Sequence, residues 1–126
     1  MSTKKFDSEG FLERLKKFGQ RCQKLVSILS RTPYNLEYGN QLIRSSVSPG
    51  ANYIEALEAL GRKDFIFKLR TSRKEARESV YWLDLISRAN PRLPEIQKEC
   101  HELIKEGMEI VKILASSIIT LEKKNS

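Results

Sequence analysis

The sequence predicts an all-α protein, an antiparallel up-down-up-down bundle of four helices. Apolar residues recur at alternating spacings of four and three, which is the period of one helix face. Prolines and glycines divide the chain into four such segments, and helices of similar length joined by short loops pack as antiparallel neighbours. A chain of 126 residues can bury one core. We therefore predict a single domain over residues 1–126, with flexible tails at residues 1–7 and 122–126.

The first and fourth helices are predicted from long apolar stripes. The first is predicted over residues 8–31 and ends there because the residue before Pro33 disfavours helical conformation. Its inward stripe is Phe11, Leu15, Phe18, Cys22, Leu25 and Leu29. The fourth is predicted over residues 95–121, after a break at Pro91 and Pro94. Its inward stripe is Ile96, Cys100, Leu103, Gly107, Ile110, Leu114, Ile118 and Leu121.

The second helix is predicted over residues 35–60, with Gly61 as its C-cap, and the third over residues 63–89. Pro49 lies inside the second helix, where a proline removes a backbone hydrogen bond and clashes with the preceding turn. We expect a kink in which Ser45 and Ser48 bond the freed backbone groups, although a division into two helices is the alternative. The inward stripe of the third helix is Phe65, Leu69, Ala76, Val80, Leu83 and Ile86.

Small polar side chains replace the apolar stripe on one face of the second helix. They recur at spacings of three and four, and a solvated face would normally carry Lys and Glu instead. The expected interior seam is Tyr38, Gln41, Ser45, Ser48, Asn52 and Glu55. A buried carboxylate needs a partner, so we predict a structural network of Arg44, Asn52, Glu55 and Glu75. Acid–base catalysis by Glu55 and Glu75 is the alternative.

The sequence argues against several classes of protein. No apolar run is long enough to span a membrane and the first ten residues do not resemble a signal peptide, so we expect a cytoplasmic protein with no membrane partner. No nucleophile or phosphate-loop motif is present. His101 is the one histidine and Cys100 points about 100° away from it, so no metal or other cofactor is predicted. His101 is expected at the surface, and Cys22 and Cys100 as buried free thiols. We predict that the protein is not an enzyme.

The net charge of +7 is concentrated in two segments. Residues 1–31 contain eight basic and three acidic side chains, and residues 61–77 contain seven and two, so each segment has a net charge of +5. In an antiparallel bundle the starts of the first and third helices and the end of the fourth lie together. That end is predicted to collect Lys4, Lys5, Arg14, Lys16, Lys17, Arg62, Lys63, Lys68, Arg70, Lys123 and Lys124. Glu95, Glu99 and Glu102 are expected at the opposite end.

Two basic stripes are the strongest indication of function. They are Arg14, Lys17, Arg21 and Lys24 on the first helix, and Lys63, Arg70, Lys74 and Arg77 on the third. Stripes with almost no acid neutralise phosphates without reading sequence, which predicts binding of structured RNA or DNA; a solvated face is the alternative. Phe67, Tyr53 and Tyr81 are the rings expected to be exposed, whereas Phe65 and Trp82 are expected in the core. Stacking on single-stranded bases is therefore only weakly indicated.

Exposed apolar residues predict self-association, because a patch of this kind usually marks a subunit or partner surface. The residues concerned are Ile54, Leu57, Leu60, Phe67 and Tyr81. The alternative function is a protein–protein interaction or scaffold module with no nucleic-acid role. In that case the positive charge would serve solubility or an acidic protein partner.

Two consecutive segments of the chain resemble a known family. The segments are Gln41-Leu-Ile-Arg-Ser-Ser-Val-Ser48 with Asn52 and Glu55, then Asp64-Phe-Ile-Phe-Lys-Leu69 and Ser72-Arg-Lys-Glu-Ala-Arg-Glu-Ser-Val-Tyr-Trp-Leu83. Over about residues 35–88 they are similar to the four-helix-bundle proteins encoded within intervening sequences of bacterial 23S ribosomal RNA genes. Pro49 is shifted by one residue relative to many members, and Ala56 stands where glycine is common.

The resemblance implies a four-helix bundle with no known enzymatic activity. It places signature polar positions at Arg44, Ser45, Ser48, Asn52, Glu55, Glu75 and Glu78. It also implies a relationship to the accessory protein of diversity-generating retroelements, a homopentamer that contacts nucleic acid and works with a reverse transcriptase. We therefore predict a non-enzymatic homo-oligomer, a pentamer by this resemblance, that binds nucleic acid through its basic surfaces as an accessory factor. A reverse transcriptase is the expected kind of protein partner.

Overall fold

A computed structural model describes residues 6–124, which form four helices and no strand. The helices are α1 (Ser8–Ser27), α2 (Pro33–Leu57), α3 (Arg62–Ala89) and α4 (Pro94–Lys123). Neighbouring helices are antiparallel, because residues near the start of one helix contact residues near the end of the next. The contact pairs are Phe11–Tyr53 and Val26–Gly39 for α1 and α2, Asn35–Asn90 and Ser45–Ser79 for α2 and α3, Ser87–Gln97 and Arg70–Glu122 for α3 and α4, and Arg14–Glu106 and Arg21–Glu99 for α1 and α4. The predicted four-helix bundle is confirmed.

The predicted boundaries of the first two helices are wrong because capping residues were assigned to the wrong helix. α1 ends at Ser27, and Thr32 caps α2 instead, with its hydroxyl accepting a hydrogen bond from the Asn35 backbone N–H at 3.1 Å. α2 ends at Leu57, and Gly61 is the N-cap of α3 rather than the C-cap of α2. The φ of Gly61 is −157°, an extended value, whereas a C-cap glycine adopts the left-handed region.

The described inner residues of both predicted tails take part in the helical structure. The Asp7 carboxylate caps α1 by accepting a hydrogen bond from the Gly10 backbone N–H at 2.9 Å. At the other end, α4 continues to Lys123, and Glu122 pairs with Arg70. The rest of both predicted tails, residues 1–5 and 125–126, lies outside the described residues, as do Lys4 and Lys5.

The apolar stripes of α1 and α4 form the core as predicted. Every predicted position on these two helices is buried except Leu121, which is half-buried. On α3 the prediction is correct at Leu69, Ala76, Leu83 and Ile86, whereas Phe65 and Val80 are only half-buried. The remaining inward positions of α3 are Ile66, Ser72 and Ser79, two of them small and polar.

The two cysteines are buried free thiols, as predicted. Cys22 on α1 and Cys100 on α4 are both fully buried in the core cluster. Burial raises the pKa of Cys22 to about 12 and that of Cys100 to about 11. Both groups are therefore neutral thiols at physiological pH. His101, next in the chain, is exposed as expected, on a different face of α4.

The polar seam predicted on α2 is displaced around the helix. Of the six predicted interior positions only Ser45 is fully buried, and Glu55 is exposed. The positions that face the core instead are Asn35, Gly39, Leu42, Ser45, Ser46, Pro49, Gly50, Tyr53 and Ala56. These positions lie about 100° around the helix from the predicted seam, because the inward face includes Leu42, Tyr53 and Ala56. α2 therefore buries a mixed apolar and small-polar face.

Small hydroxyl-bearing residues line the interface between α2 and α3. The Ser45 and Ser79 hydroxyls are hydrogen-bonded across it at 3.0 Å. The Ser72 hydroxyl donates to the carbonyl of Pro49 at 2.8 Å. Ser48 donates to the Arg44 carbonyl, so the predicted repair of the Pro49 site by Ser45 and Ser48 is not what occurs. The carbonyl of Pro49 instead accepts a hydrogen bond from Ser72 on α3. The helix α2 continues through the proline without a break.

A reciprocal pair of amides joins the start of α2 to the end of α3. The Asn35 side-chain N–H donates to Asn90 Oδ1 at 3.1 Å, and the Asn90 side-chain N–H donates to Asn35 Oδ1 at 2.9 Å. Asn35 also donates to the Ser30 carbonyl, and Asn90 to the Ile86 carbonyl. Both side chains are buried, so this pair fixes the relative register of the two helices.

None of the four helices, as far as residues 6–124 define them, is long and apolar enough to cross a membrane.

Candidate nucleic-acid interface

The basic stripe predicted on α1 faces a row of acidic residues on α4. Arg14 makes two hydrogen bonds to the Glu106 carboxylate, at 2.6 and 2.8 Å. Arg21 contacts Glu99 at 2.9 Å and Glu102 at 3.3 Å. These hydrogen bonds and the nearby negative charge raise the pKa values of both arginines. The guanidinium groups of this stripe therefore join two helices, and only Lys17 and Lys24 are fully exposed.

The sequence-based prediction grouped Glu95, Glu99 and Glu102 at one end of the bundle, but it did not predict that an acidic row on α4 pairs with α1. The members of this row are Glu95, Glu99, Glu102, Glu106 and Glu109, spaced alternately by four and three along α4. That spacing matches the spacing of the basic stripe on α1, and oppositely charged residues along adjacent helices commonly pair in this way. Comparing the two periodicities would have predicted the contact.

The predicted polar network divides into separate ion pairs. Arg44 pairs with Glu75 at 3.3 Å and with Glu78. The pKa of Glu78 is lowered by the hydrogen bond from the Trp82 indole N–H, at 3.0 Å, and by that from Arg44. Glu55 pairs instead with Lys68 at 2.7 Å, which raises the pKa of Lys68.

The last member of the predicted network, Asn52, bonds within its own helix. Its side-chain N–H donates to the Ser48 carbonyl at 3.0 Å. The prediction that Arg44, Asn52, Glu55 and Glu75 form one buried network is therefore wrong, because Arg44 and Glu55 both lie at the surface. Glu55 and Glu75, the carboxylates considered for acid–base chemistry, belong to different ion pairs.

The charge at the predicted basic end is largely compensated. Arg14, Lys68 and Arg70 pair with Glu106, Glu55 and Glu122 respectively. Asp7, Glu9 and Asp64 lie at the same end of the bundle. At the opposite end, Glu99 and Glu102 are the partners of Arg21. The long axis therefore carries a weaker charge gradient than the basic residues alone suggest.

The outer face of α3 carries cations that make no salt bridge. The outer stripe of α3, spaced alternately by four and three, consists of Lys63, Phe67, Arg70, Lys74, Arg77, Tyr81, Asp84 and Arg88. Arg70 pairs with Glu122 and Arg88 with Asp84. Within the described part of the chain, Lys63, Lys74 and Arg77 make no salt bridge, and all three are exposed. Lys74 is near enough to Glu78 for its charge to contribute to lowering the pKa of that carboxyl. The cations of the stripe that make no salt bridge are therefore its first member and the two at its middle.

Two aromatic rings, Phe67 and Tyr81, lie on the outer stripe of α3. The sequence-based prediction placed both rings at the surface but did not place them among the cations of this stripe. Phe67 is 60% exposed and Tyr81 is 56% exposed, whereas Tyr53, the third ring expected at the surface, is buried. Trp82 is half-buried and packs on the core, and it contacts the Tyr81 ring edge-on with centroids 5.0 Å apart. The spacing of residues 67, 70, 74, 77 and 81 in the sequence already contained this interleaving.

Tyr81 also borders a groove between α3 and α4. The groove has a volume of about 620 Å³, and its lining consists of Lys74, Arg77, Glu78, Val80, Tyr81, Asp84 and Ile104. Lys74 and Arg77 therefore have an exposed ring and the apolar side chains of Val80 and Ile104 beside them, together with the carboxylates of Glu78 and Asp84. Such a combination suits a ligand that has both negative charge and flat apolar faces.

The helices and this surface define the class of protein: a four-helix bundle in which one outer helix face is basic and aromatic. Residues 12–116 match the family model described as 23S rRNA-intervening sequence protein, so the chain belongs to that family. It is also similar to a protein of unknown function from the S23 ribosomal protein family of Bacteroides thetaiotaomicron VPI-5482, whose crystal structure is solved. The two are 34% identical with a TM-score of 0.74, and the match covers 85% of this chain and 96% of that chain. No curated protein matches the chain.

Proposed function

We propose that this protein is a non-enzymatic accessory factor that binds structured RNA or DNA, chiefly through the outer stripe of α3. The observation that carries the proposal is the pair Lys74 and Arg77, which are exposed and make no salt bridge within residues 6–124. Cations spaced by three and four residues lie on one face of a helix, where they can contact the phosphates of a nucleic acid without distinguishing its bases. The α1 stripe contributes less, because Arg14 and Arg21 are engaged with α4.

Replacing Lys74 and Arg77 together by glutamine is expected to weaken binding to every sequence alike. Each lost phosphate contact lowers the slope of log K against log salt by about 0.9 for duplex DNA, so the slope should fall by about 1.8 per bound subunit. Fluorescence anisotropy of a labelled DNA duplex and a labelled RNA hairpin, measured over a salt series, determines this slope.

The matched control for this experiment is the variant Lys105→Gln/Lys112→Gln. It removes the same net charge from exposed positions on α4, and Lys105 lies beside Glu102, Glu106 and Glu109. If both variants weaken binding equally, the effect is one of net charge and the assignment to α3 fails. If neither changes the salt slope, the assignment to α3 also fails, and a wild-type protein that binds neither probe at low salt contradicts the proposed function itself.

Self-association belongs to the same proposal, because several copies would multiply weak phosphate contacts. A groove of about 360 Å³ between α1 and α2 supports it. Its lining includes the small residues Gly19, Gly50 and Ala51 and the exposed side chains of Val47 and Ile54. A second helical surface can approach closely over such a floor. The homopentamer implied by the resemblance to the retroelement accessory protein is the expected assembly.

Changing Val47 to glutamate is expected to reduce the mass in solution towards the monomer value of 14.6 kDa, since it places a charge in this groove. Light scattering at fixed protein concentration measures the mass. Ile119→Glu is the matched control, because Val47 and Ile119 are 52% and 53% exposed but lie on different helices. A wild-type protein that is already monomeric would remove self-association from the proposal.

The second candidate function is a protein-interaction module, favoured by the same apolar groove. In that case nucleic acid would not bind, and the groove would accommodate a partner protein such as the expected reverse transcriptase. The anisotropy measurement separates the two functions.

A further inference from the structure

We infer that the outer stripe of α3 recognises unpaired nucleotides, with bases stacked on Phe67 and Tyr81 and phosphates bound by the cations between these rings. The inference rests on the proposed function and makes it more specific. It identifies the element of a structured RNA or DNA that the stripe engages, namely a single-stranded stretch rather than a helical one.

The first argument is the order of residues along the stripe. Phe67 and Tyr81 flank Arg70, Lys74 and Arg77 on one helix face. The two rings are fourteen residues apart, which corresponds to about 21 Å along the helix axis. At about 3.4 Å per stacked nucleotide, that distance spans roughly six nucleotides. Both rings can therefore contact one short strand while the intervening cations follow its backbone.

The second argument is the chemistry of exposed rings. A duplex hides the faces of its bases, so cations alone suffice to bind it. Unpaired bases present flat faces that stack on aromatic side chains regardless of sequence. Phe67 and Tyr81 keep more than half of their surface exposed, beside cations that attract phosphate. A surface that binds only a duplex would not require these two exposed rings.

The third argument is that each ring has a neighbour that restricts its motion. Trp82 contacts Tyr81 at an interplanar angle of 75°, and its indole N–H is fixed by the hydrogen bond to Glu78. At the other ring, the Lys68 ammonium lies 5.9 Å from the Phe67 centroid. A ring that is partly fixed before binding loses less conformational entropy when a base stacks on it.

Charge complementarity favours a nucleic acid over a second copy of this chain as the occupant. Another copy placed face to face on this stripe would bring its own Lys74 and Arg77 towards those of the first, and like charges in a contact are destabilising. A polyanion meets the same cations favourably.

The test replaces both rings by leucine, in the variant Phe67→Leu/Tyr81→Leu, which keeps an apolar side chain and a good helix former. The probes are labelled oligodeoxythymidine, which does not self-pair, and a labelled DNA duplex. We expect the wild-type protein to bind the single strand more tightly than the duplex at equal salt. Loss of each ring should weaken single-strand binding by roughly 5- to 150-fold and leave duplex binding and both salt slopes unchanged. Phe6→Leu/Tyr34→Leu is the control, because these rings are also exposed but lie off the stripe.

The outcomes separate this inference from the proposed function. If the ring variant binds both probes like the wild type while Lys74→Gln/Arg77→Gln loses affinity, stacking is excluded and phosphate binding stands. If the ring variant loses duplex and single-strand affinity equally, the rings do not distinguish unpaired bases and the inference fails. If it changes mass in light scattering, the rings belong to an interface between copies, which also overturns the inference.

Discussion

Phe18→Ala is expected to lower the free energy of unfolding by about 3–5 kcal/mol, the usual range for removing a buried phenyl ring. Phe18 is 1% exposed and lies in the core of α1. Its ring reaches α4 where Gly107 leaves room for it: a Cβ added to Gly107 would lie 3.3 Å from Phe18 Cζ. The α4 backbone cannot collapse into the vacated space without disturbing the neighbouring turns, so most of the cavity should remain.

Urea denaturation of both proteins at one concentration measures this loss, because association makes apparent stability depend on concentration. Phe67→Ala is the matched control: it deletes the same ring from a site that is 60% exposed. Its unfolding free energy should stay within about 0.5 kcal/mol of wild type. Equal losses in the two variants would contradict the assignment of Phe18 to the core.

The second large effect is expected at the buried amide pair. Asn90→Ala removes the group that donates to Asn35 Oδ1 and the acceptor of one Asn35 N–H. A buried polar group left without its partner costs about 1–3 kcal/mol, so the variant should be destabilised by that amount. The exposed Asn40 on α2 provides the control, and Asn40→Ala should change stability by less than about 0.5 kcal/mol.

A double-mutant cycle identifies the source of the loss. Asn35→Ala, Asn90→Ala and the double variant together give the coupling energy of the pair, which for residues in one hydrogen-bond network is about 0.5–3 kcal/mol. Additive losses would mean that the two amides act independently, through Ser30 and Ile86, and would contradict their role in joining α2 to α3.

The sequence predicted the bundle and the cores of α1 and α4 because strongly apolar residues mark those faces. Phe11, Leu15 and Phe18 leave no doubt about which side of α1 is inward. On α2 the inward face alternates Leu42 and Tyr53 with Ser45, Ser46 and Pro49, so periodicity defined the spacing but not the angular position. On α2 a polar row and a mixed row, 100° apart around the helix, recur with the same period, so the period does not show which row faces the core.

The candidate site was predictable only where it depends on one helix. The cations and rings of the outer stripe of α3 share a helix, so their spacing places them on one face. The pairing of Arg14 with Glu106 joins residues 92 positions apart, and no local pattern reports such a contact. For this reason the sequence did not predict that Arg14 and Arg21, half of the α1 stripe, are engaged with α4.

The two buried, protonated thiols can report whether the bundle has opened, because covalent labelling of either sulfur requires that it becomes exposed. The thiolate is the nucleophile that attacks alkylating and oxidising reagents, and burial of Cys22 and Cys100 suppresses both access and ionisation. A covalent label found on either sulfur was therefore acquired while that helix was away from the core. Because one cysteine lies on the first helix and the other on the last, labels on the two would distinguish detachment of either terminal helix from loss of the whole fold.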